Sequence, residues 1–524
     1  MQKSGLTIIS IIVVAFSMIC CGEGKRVEKE WERDIVILQE NDVHCNIDGY
    51  ARLAGLRDSL SAVADVVVVS CGDYLQGGTA GAVSGGQYIA DLMRNVGYDA
   101  VTLGNHEFDF GDERMFELLR SAKVPVTCVN MRDMVTGGYV YSPYIMRCCG
   151  KRRVAFVGVT TPTTLFTEGM AFYDKEGRQL YHLCQDSLYQ VVQRNVDDAR
   201  RAGADYVVVL AHLGENGGMR HANSHDLIKK TTGIDVLLDG HSHSVVVEKS
   251  VRDKEGKDVP VVQTGSLFEN IGVIRTKPTG EITTELIDKS IPLKLDDAVA
   301  FTTDSIKRVM EKKVNEKVCY SPYTLRIHDD SNVLSARQRE TNAGDLVTDA
   351  YRVMTGAEVA ITNAGGLRTA ISAGEITYGD LISLLPYENY VCVVSVPGSL
   401  IVETLEACCS SLPGKSGDFP QVSGIRFKVN PYASPRVTEV MVYDEGLQKY
   451  ILIEQDREYR VATVDYCVTG GGLKKKLRHC KRLSENQYVY SMCVKDYIQR
   501  YLGDTIPEVY SKAQKRIVVK EERE

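Results

Sequence analysis

No Cys-x-x-Cys pair occurs among the 15 cysteines of this 524-residue chain, so cysteine spacing shows no paired-cysteine metal or redox framework. A basic excess is lacking too. Lys and Arg number 62 against 69 Asp and Glu, for a net charge of −7. With no basic stripe evident, nucleic-acid polymers are set aside as partners. The run KKKLR, Lys474 to Arg478, reads as a solvated face. Tryptophan occurs once, as Trp31, and reads as packing at a domain edge rather than binding. There is no internal repeat and no low-complexity tract. What remains is ordinary for globular protein, 44% hydrophobic and 25% charged, and long enough for two or more cores.

The apolar run from Leu6 to Ile19, behind Lys3, is about 14 residues, short for a transmembrane helix. It reads as an export signal over residues 1–21. Cys20 and Cys21 stand where a bacterial lipoprotein carries its lipidated cysteine, and Cys21, followed by Gly22, is the favoured anchor. Residues 22–33 then form a charged tether. The expected location is periplasmic or cell-surface, touching membrane only through that anchor. Disulfides are permitted there, but their connectivity is not legible. Most cysteines read as small buried hydrophobes.

Five short polar clusters each end an apolar run. They are IVILQENDVH (Asp42, His44), VVVVSCGD (Asp73), AVTLGNHEFD (Asn105, His106, Asp109), YVVVLAH (His212) and IDVLLDGHSH (His241, His243). Runs such as Val66 to Val69 and Val207 to Leu210 suit strands buried on both faces. Ligands of open α/β sheets bind beyond the carboxyl ends of the strands, so these clusters converge on one rim. Seven nitrogen and oxygen ligands suffice for two divalent ions, Zn, Mn or similar. Asp73, beside a glycine that allows close backbone approach, is the natural bridge between ions about 3.5–4 Å apart.

NDVH, GDYLQGG, GNHEFDFG, AHLG and DGHSH resemble the calcineurin-like metallophosphoesterases, in their 5′-nucleotidase branch. The resemblance implies that Asp42, His44, Asp73 and His243 hold one ion, and Asp73, Asn105, His212 and His241 the other. His106 and Asp109 match the family's catalytic pair. The fold it implies is an N-terminal four-layer α/β/β/α sandwich, residues 34–297, followed by a linker helix, 298–320. A C-terminal α/β substrate-binding domain, 321–519, completes the chain. Ions so held supply a nucleophile from water and offset charge on phosphoryl oxygens.

The later motifs ARQRETNAGDLVTDAYR, ITNAGGLRTAISAGEITYGDLISLLPYENYV, FPQVSGIRF and YRVATVDYCVTGGG are similar to the substrate-binding domain peculiar to 5′-nucleotidases. Arg337 and Arg368 suit phosphate or carboxylate. Asn363 and the Gly365–Gly366 turn offer an amide and backbone donors. Tyr387 and Tyr466 match positions where the family sandwiches a nucleobase. Glu340 and Asp345 read as bracing the Arg337 loop. The family ends its last loop with Gly-Gly-Asp, whose Asp binds ribose hydroxyls. Here Gly472 stands in that place, which predicts a weakened preference for ribose over deoxyribose. The resemblance implies phosphate release from nucleotides. UDP-sugar or dinucleotide pyrophosphatase and 2′,3′-cyclic-nucleotide phosphodiesterase activities share the same metal site. A surface nucleotide-binding protein of weak activity is the reading from another class. Sulfur-ester hydrolysis on a related scaffold is disfavoured by the tyrosine pair.

Overall fold

A computed structural model describes residues 33–174, 178–215, 222–328, 335–387, 389–469, 472–483 and 488–521. The expected signal segment, Cys20, Cys21 and Trp31 lie outside them. Among the described residues no helix is long and apolar enough to cross a membrane.

Alternation along valine-rich strands builds the first unit. Side chains of a strand point to opposite faces in turn. In Asp34–Glu40, Ile35 and Ile37 enter one core while Val36 and Leu38 enter another. In Tyr206–His212, Val208 and Leu210 join the first of these cores, and Val207 and Val209 enter a third. The shared core lies between two sheets. One has five strands in the order Ile282–Asp288, Asn270–Thr276, Asp34–Glu40, Ala64–Ser70, Ala100–Val101. The other has six, in the order Val245–Arg252, Asp258–Thr264, Val236–Leu238, Tyr206–His212, Arg152–Thr160, Ile145–Cys149. Helices Tyr50–Ser61, Gln87–Val96 and Asp112–Ala122 cover the first sheet, and Leu188–Arg201 and Ser224–Lys230 cover the second. The result is the expected four-layer α/β/β/α sandwich.

Parallel pairing fixes where the polar clusters fall. Asp34–Glu40 runs parallel to Ala64–Ser70, with Val36 opposite Val66, and Ala64–Ser70 parallel to Ala100–Val101. Arg152–Thr160, Tyr206–His212 and Val236–Leu238 are likewise parallel. Their carboxyl ends share one rim.

The second unit centres on a sheet of Pro420–Ser423, Val359–Asn363, Glu458–Val464 and Tyr390–Pro397, with the short strands Lys481–Arg482 and Tyr488–Val489 on the last. Helix Asn342–Thr355 starts at Thr341, whose hydroxyl accepts from Gly344 N at 3.2 Å, a favoured N-cap. Helix Asp297–Val314 does more than link. Val299 and Ile306 are buried in the first unit, and Met310 packs against the cores of both. Lys317–Ser321 then pairs antiparallel with Gly374–Thr377. Glu340 and Asp345 hold the C-terminal end of the chain. Glu340 accepts from Ile517 N at 2.7 Å and Asp345 from Gln514 N at 2.9 Å, with Arg516 3.6 Å from Asp345. All 13 described cysteines are free and most are buried, as small hydrophobes are.

Candidate active site

The rim gathers two ligand clusters, Asp42 with His44 and His243, and Asp73 with His212 and His241. His44 Nε2 lies 3.1 Å from His243 Nε2, 4.0 Å from Asp42 Oδ1 and 3.9 Å from Asp73 Oδ2. His212 Nε2 is 3.1 Å from Asp73 Oδ2 and 4.0 Å from Asp42 Oδ1. The 3.9 Å and 3.1 Å approaches put Asp73 between the two clusters. Asn105 stands at the start of the 3-10 turn His106–Phe108.

Two observations show that this donor set suits divalent cations. His212 Nδ1 faces the carbonyl of Cys71 at 2.7 Å, and His44 Nδ1 that of Gln76 at 3.3 Å. A carbonyl only accepts, so each Nδ1 carries a proton and each Nε2 is the nitrogen left to offer a lone pair to a cation, the arrangement that outer partners give metal-binding histidines. In addition, Asn105 Oδ1 is buried without a hydrogen-bond partner, and His212 Nε2 has nothing beyond its 3.1 Å approach to Asp73 Oδ2. Buried polar atoms are rarely left so, and a cation would satisfy both.

The backbone at the ligands is unusual. Asp42, His44, Asp73, His241 and His243 all have positive φ, between 43° and 76°, a region non-glycine residues seldom adopt. Buried polar groups hold them there. Asp42 N donates to Gly72 O and His44 N to Asp73 O, both at 3.0 Å. His241 N donates to Asp42 Oδ2 at 2.9 Å. The Asp73 turn passes so close to Gly104 that a Cβ there would lie 2.1 Å from Asp73 Oδ1, so only glycine fits.

Glu107, which sequence reasoning passed over, is the hub of this rim. It is fully buried. Its Oε1 accepts from Tyr74 N at 2.7 Å and Leu75 N at 3.1 Å; its Oε2 accepts from Asp73 N at 2.8 Å and Gly104 N at 2.6 Å. Burial and the Asp73 charge push it up to about 7, against the pull of those N–H groups. The available signal was an acid placed directly after the Asn105–His106 pair. Asp239, also buried, accepts from Leu213 N at 3.0 Å and Gly214 N at 3.2 Å, fixing the chain after His212.

His106 Nδ1 lies 2.8 Å from Asp109 Oδ2, and its backbone N donates to Asp73 Oδ1 at 2.9 Å. Burial works against charge on this imidazole, but Asp109, Asp73 and Glu168 outweigh it and raise it well above the ordinary histidine range. Asp109 thus favours the protonated form of His106.

In the second unit, a cavity of about 380 Å³ is lined by Arg337, Asn363, Gly365, Arg368, Tyr387 and Tyr466, together with Gly366, Asn389, Gly417 and Asp418. All six residues singled out in the sequence thus face one space. Both tyrosine rings are open to it, at 47% and 44% exposure. The Arg368 guanidinium carbon lies 5.8 Å from the Tyr387 ring centre. The strand that follows Asn389 of the cavity wall meets the first unit. Phe110 meets the Tyr390 ring edge-on at 5.9 Å, and Asp465, next to Tyr466, feels the charge of Asp109.

Comparison with known proteins agrees with both halves. Residues 35–245 match the family model of the calcineurin-like phosphoesterases, and residues 322–478 that of the 5′-nucleotidase C-terminal domain. The chain is 27% identical to the trifunctional nucleotide phosphoesterase protein YfkN of Bacillus subtilis, over 84% of this chain but 32% of that protein. It therefore spans about a third of that relative's length. It is 26% identical to a 5′-nucleotidase of Bos taurus, over 84% of each chain. The fold is similar to the 5′-nucleotidase precursor of Thermus thermophilus, with a TM-score of 0.56 and 24% identity, covering 94% of this chain and all of that one. A calcineurin-like metallophosphoesterase domain joined to a 5′-nucleotidase C-terminal domain makes the chain a member of the 5′-nucleotidase family of phosphate-ester hydrolases.

Proposed function

We propose that the protein releases phosphate from nucleotides, with two divalent ions of the zinc or manganese kind held by Asp42, His44, Asp73, Asn105, His212, His241 and His243. The observation that carries this reading is the single cavity that holds two arginines and two open tyrosine rings, in a chain that also carries the two Asp–His clusters. Pockets of this kind combine flat apolar walls with a few placed polar groups.

When bound, the ions supply a nucleophile from water and stabilise charge on the phosphoryl oxygens. The rest falls to the chain. Tyr387 and Tyr466 stack on the base, which any base permits. Arg337 and Arg368 offer planar guanidinium forks to phosphate oxygens, and the Asn363 amide with the Gly366 backbone adds neutral donors, the Gly365 N–H being taken by Gly417 O. His106 is a proton carrier next to Asp73, held in orientation by Asp109. It hydrogen-bonds a phosphoryl oxygen or protonates the leaving alcohol.

The division of labour follows the boundaries 34–297 for chemistry and 321–519 for substrate, with 298–320 between. The N-terminal segment supports export and a lipid anchor at Cys21, with Cys20 as the alternative. Mass spectrometry of the mature N-terminus tests this: an unmodified end beyond Cys21 rules the anchor out.

A phosphate-release screen tests the activity. Nucleoside mono-, di- and triphosphates, UDP-glucose and cyclic nucleotides are offered with Zn, Mn or Co. The reading expects turnover of nucleoside monophosphates that depends on added metal. Turnover of UDP-glucose or cyclic nucleotides alone would replace it with the pyrophosphatase or diesterase reading.

A further inference from the structure

The substrate cavity contains a group that neither phosphate nor base binding explains. Asp418 is an acid on the same wall space as Arg337 and Arg368. A carboxylate repels a phosphate, so it does not serve that end of the substrate. It does not serve the arginines either, since among the described residues Asp418 has no ion pair. Its carboxylate accepts one long hydrogen bond, 3.3 Å from Lys474 N to Oδ1.

We propose, resting on the nucleotide reading above, that Asp418 accepts hydrogen bonds from the vicinal hydroxyls of the sugar and so sets a preference for ribonucleotides over 2′-deoxyribonucleotides. The phosphate and base ends are already claimed by guanidinium groups and aromatic rings. The donors left to a nucleotide include its two neighbouring sugar hydroxyls, and an ionised carboxylate is an acceptor with two oxygens to match them. The weak contact with Lys474 N leaves most of that capacity available.

The loop opposite explains why the acid enters from residue 418. A Cβ on Gly472 would lie 2.7 Å from Tyr466 Cε1 and 3.0 Å from Cδ1. A side chain at 472 therefore collides with the ring that stacks on the base. Asp418 reaches the same turn from the other side, through the amide of Lys474. Its own loop is held firmly. Asp418 N donates to Ser416 Oγ at 3.2 Å, Gly365 N to Gly417 O at 2.8 Å, and Ala364 N to Phe419 O at 2.9 Å. Those bonds tie the acid to the Asn363–Gly366 turn, so the acceptor is preorganised next to the amide and backbone donors of the cavity. Its charge also reaches the Tyr466 phenol, which sits above its usual range through burial first and Asp418 second. On this proposal residue 418 supplies the acceptor that Gly472 lacks, in place of the weakened ribose preference that Gly472 alone predicts.

The test compares kcat/KM for adenosine and 2′-deoxyadenosine 5′-monophosphates, and for the uridine pair, in wild type, Asp418→Ala and Asp418→Asn. Turnover of bis(p-nitrophenyl) phosphate, which lacks sugar and base, monitors the metal centre and the fold. A hydrogen bond to a charged group is worth roughly 10- to 100-fold. Wild type should favour the ribonucleotide by about that factor, Asp418→Ala should lose most of it, and Asp418→Asn should keep part through its one carbonyl oxygen. Equal loss of ribo and deoxy substrates, no sugar preference in wild type, or a change in base selectivity instead would overturn the assignment. Wild type active on the synthetic diester but on no nucleotide would sink the nucleotide reading itself, and the role of Asp418 with it. Should Asp418→Ala fail to fold, the ratio in the nearly isosteric Asp418→Asn decides: an undiminished preference counts against the proposal.

Discussion

Replacing Glu107 by glutamine tests whether one buried carboxylate holds the metal rim. Each oxygen of Glu107 accepts two backbone N–H groups, Tyr74 and Leu75 on one, Asp73 and Gly104 on the other. Glutamine keeps the shape and one acceptor. Its amide nitrogen then faces two N–H donors at the other position, and neither finds water, because the residue is fully buried. A buried donor left unsatisfied costs about 1–3 kcal/mol, so the pair costs about 2–6 kcal/mol. Either orientation of the amide frees part of the turn that carries Asp73. Asp73 is then no longer held at φ 58°, and its oxygens lose their place between the two clusters. Urea unfolding followed by circular dichroism should show a lower midpoint, and chelator competition should show weaker metal binding. Both quantities unchanged in Glu107→Gln would refute the reasoning, since the change adds no cavity that could act instead.

His106→Ala should keep its metal by elemental analysis yet lose about 10²- to 10⁴-fold in kcat, the span of a positioned proton carrier; undiminished turnover removes His106 from the mechanism. Asp109→Asn takes away a charge that raises His106, so the protonated form is lost at lower pH. The alkaline limb of the kcat profile should move toward acid, and an unmoved limb contradicts the assignment. Asp465, at the seam between the units, is pushed up to about 7 by burial and by Asp109, with Tyr466 N, Tyr390 N and Arg482 opposing and Glu168 also facing it. A raised carboxyl contributes fully below its unfolded value, about 3.8, and its contribution is lost as pH rises through about 7. Energy transfer between labels on the two units should therefore report opening from pH ~4 to ~8, flattened in Asp465→Asn; the same profile in both proteins argues against the seam.

That the candidate metal ligands come together was legible because each follows an apolar run, and parallel strands with short exits bring their ends to one rim. Asn105 was named as a candidate by the same rule as His212, although an amide is a weaker signal than an imidazole. Glu107 was not legible as a hub. Written beside His106 it looks like another rim group, and only the 3-10 turn His106–Phe108 rotates it inward. Glu340 and Asp345 were read as local braces. Their partners stand far along the chain at Ile517, Gln514 and Arg516, a separation no local pattern records. Asp418 escaped for a related reason. Its meaning depends on Tyr466 filling the space at Gly472, which is a contact between two loops rather than a motif.

The positive φ values of five ligand residues were equally invisible, since Asp and His do not announce such a backbone as glycine does. Each strained residue costs of order 1–3 kcal/mol and persists only where its surroundings over-determine it. Here the surroundings are scaffold groups. Asn41 donates to Gly265 O at 2.9 Å and accepts from Thr264 N at 2.9 Å, and it also donates to Asp42 Oδ2 at 2.7 Å. Glu107 and Asp239 hold the Asp73 and His212 exits. If hydrogen bonds from the sheets fix the ligands, then metal ions meet a rim already formed. Chelation should leave the amides of Asp73, Tyr74, Leu75 and Gly104 protected from hydrogen exchange to nearly the same degree as in the metal-loaded protein. Exchange at loop rates after chelation would mean that the ions, and not Glu107, hold the turn. Preorganisation of this kind is what a hydrolase needs, because ligands already in place do not have to be gathered at each binding event.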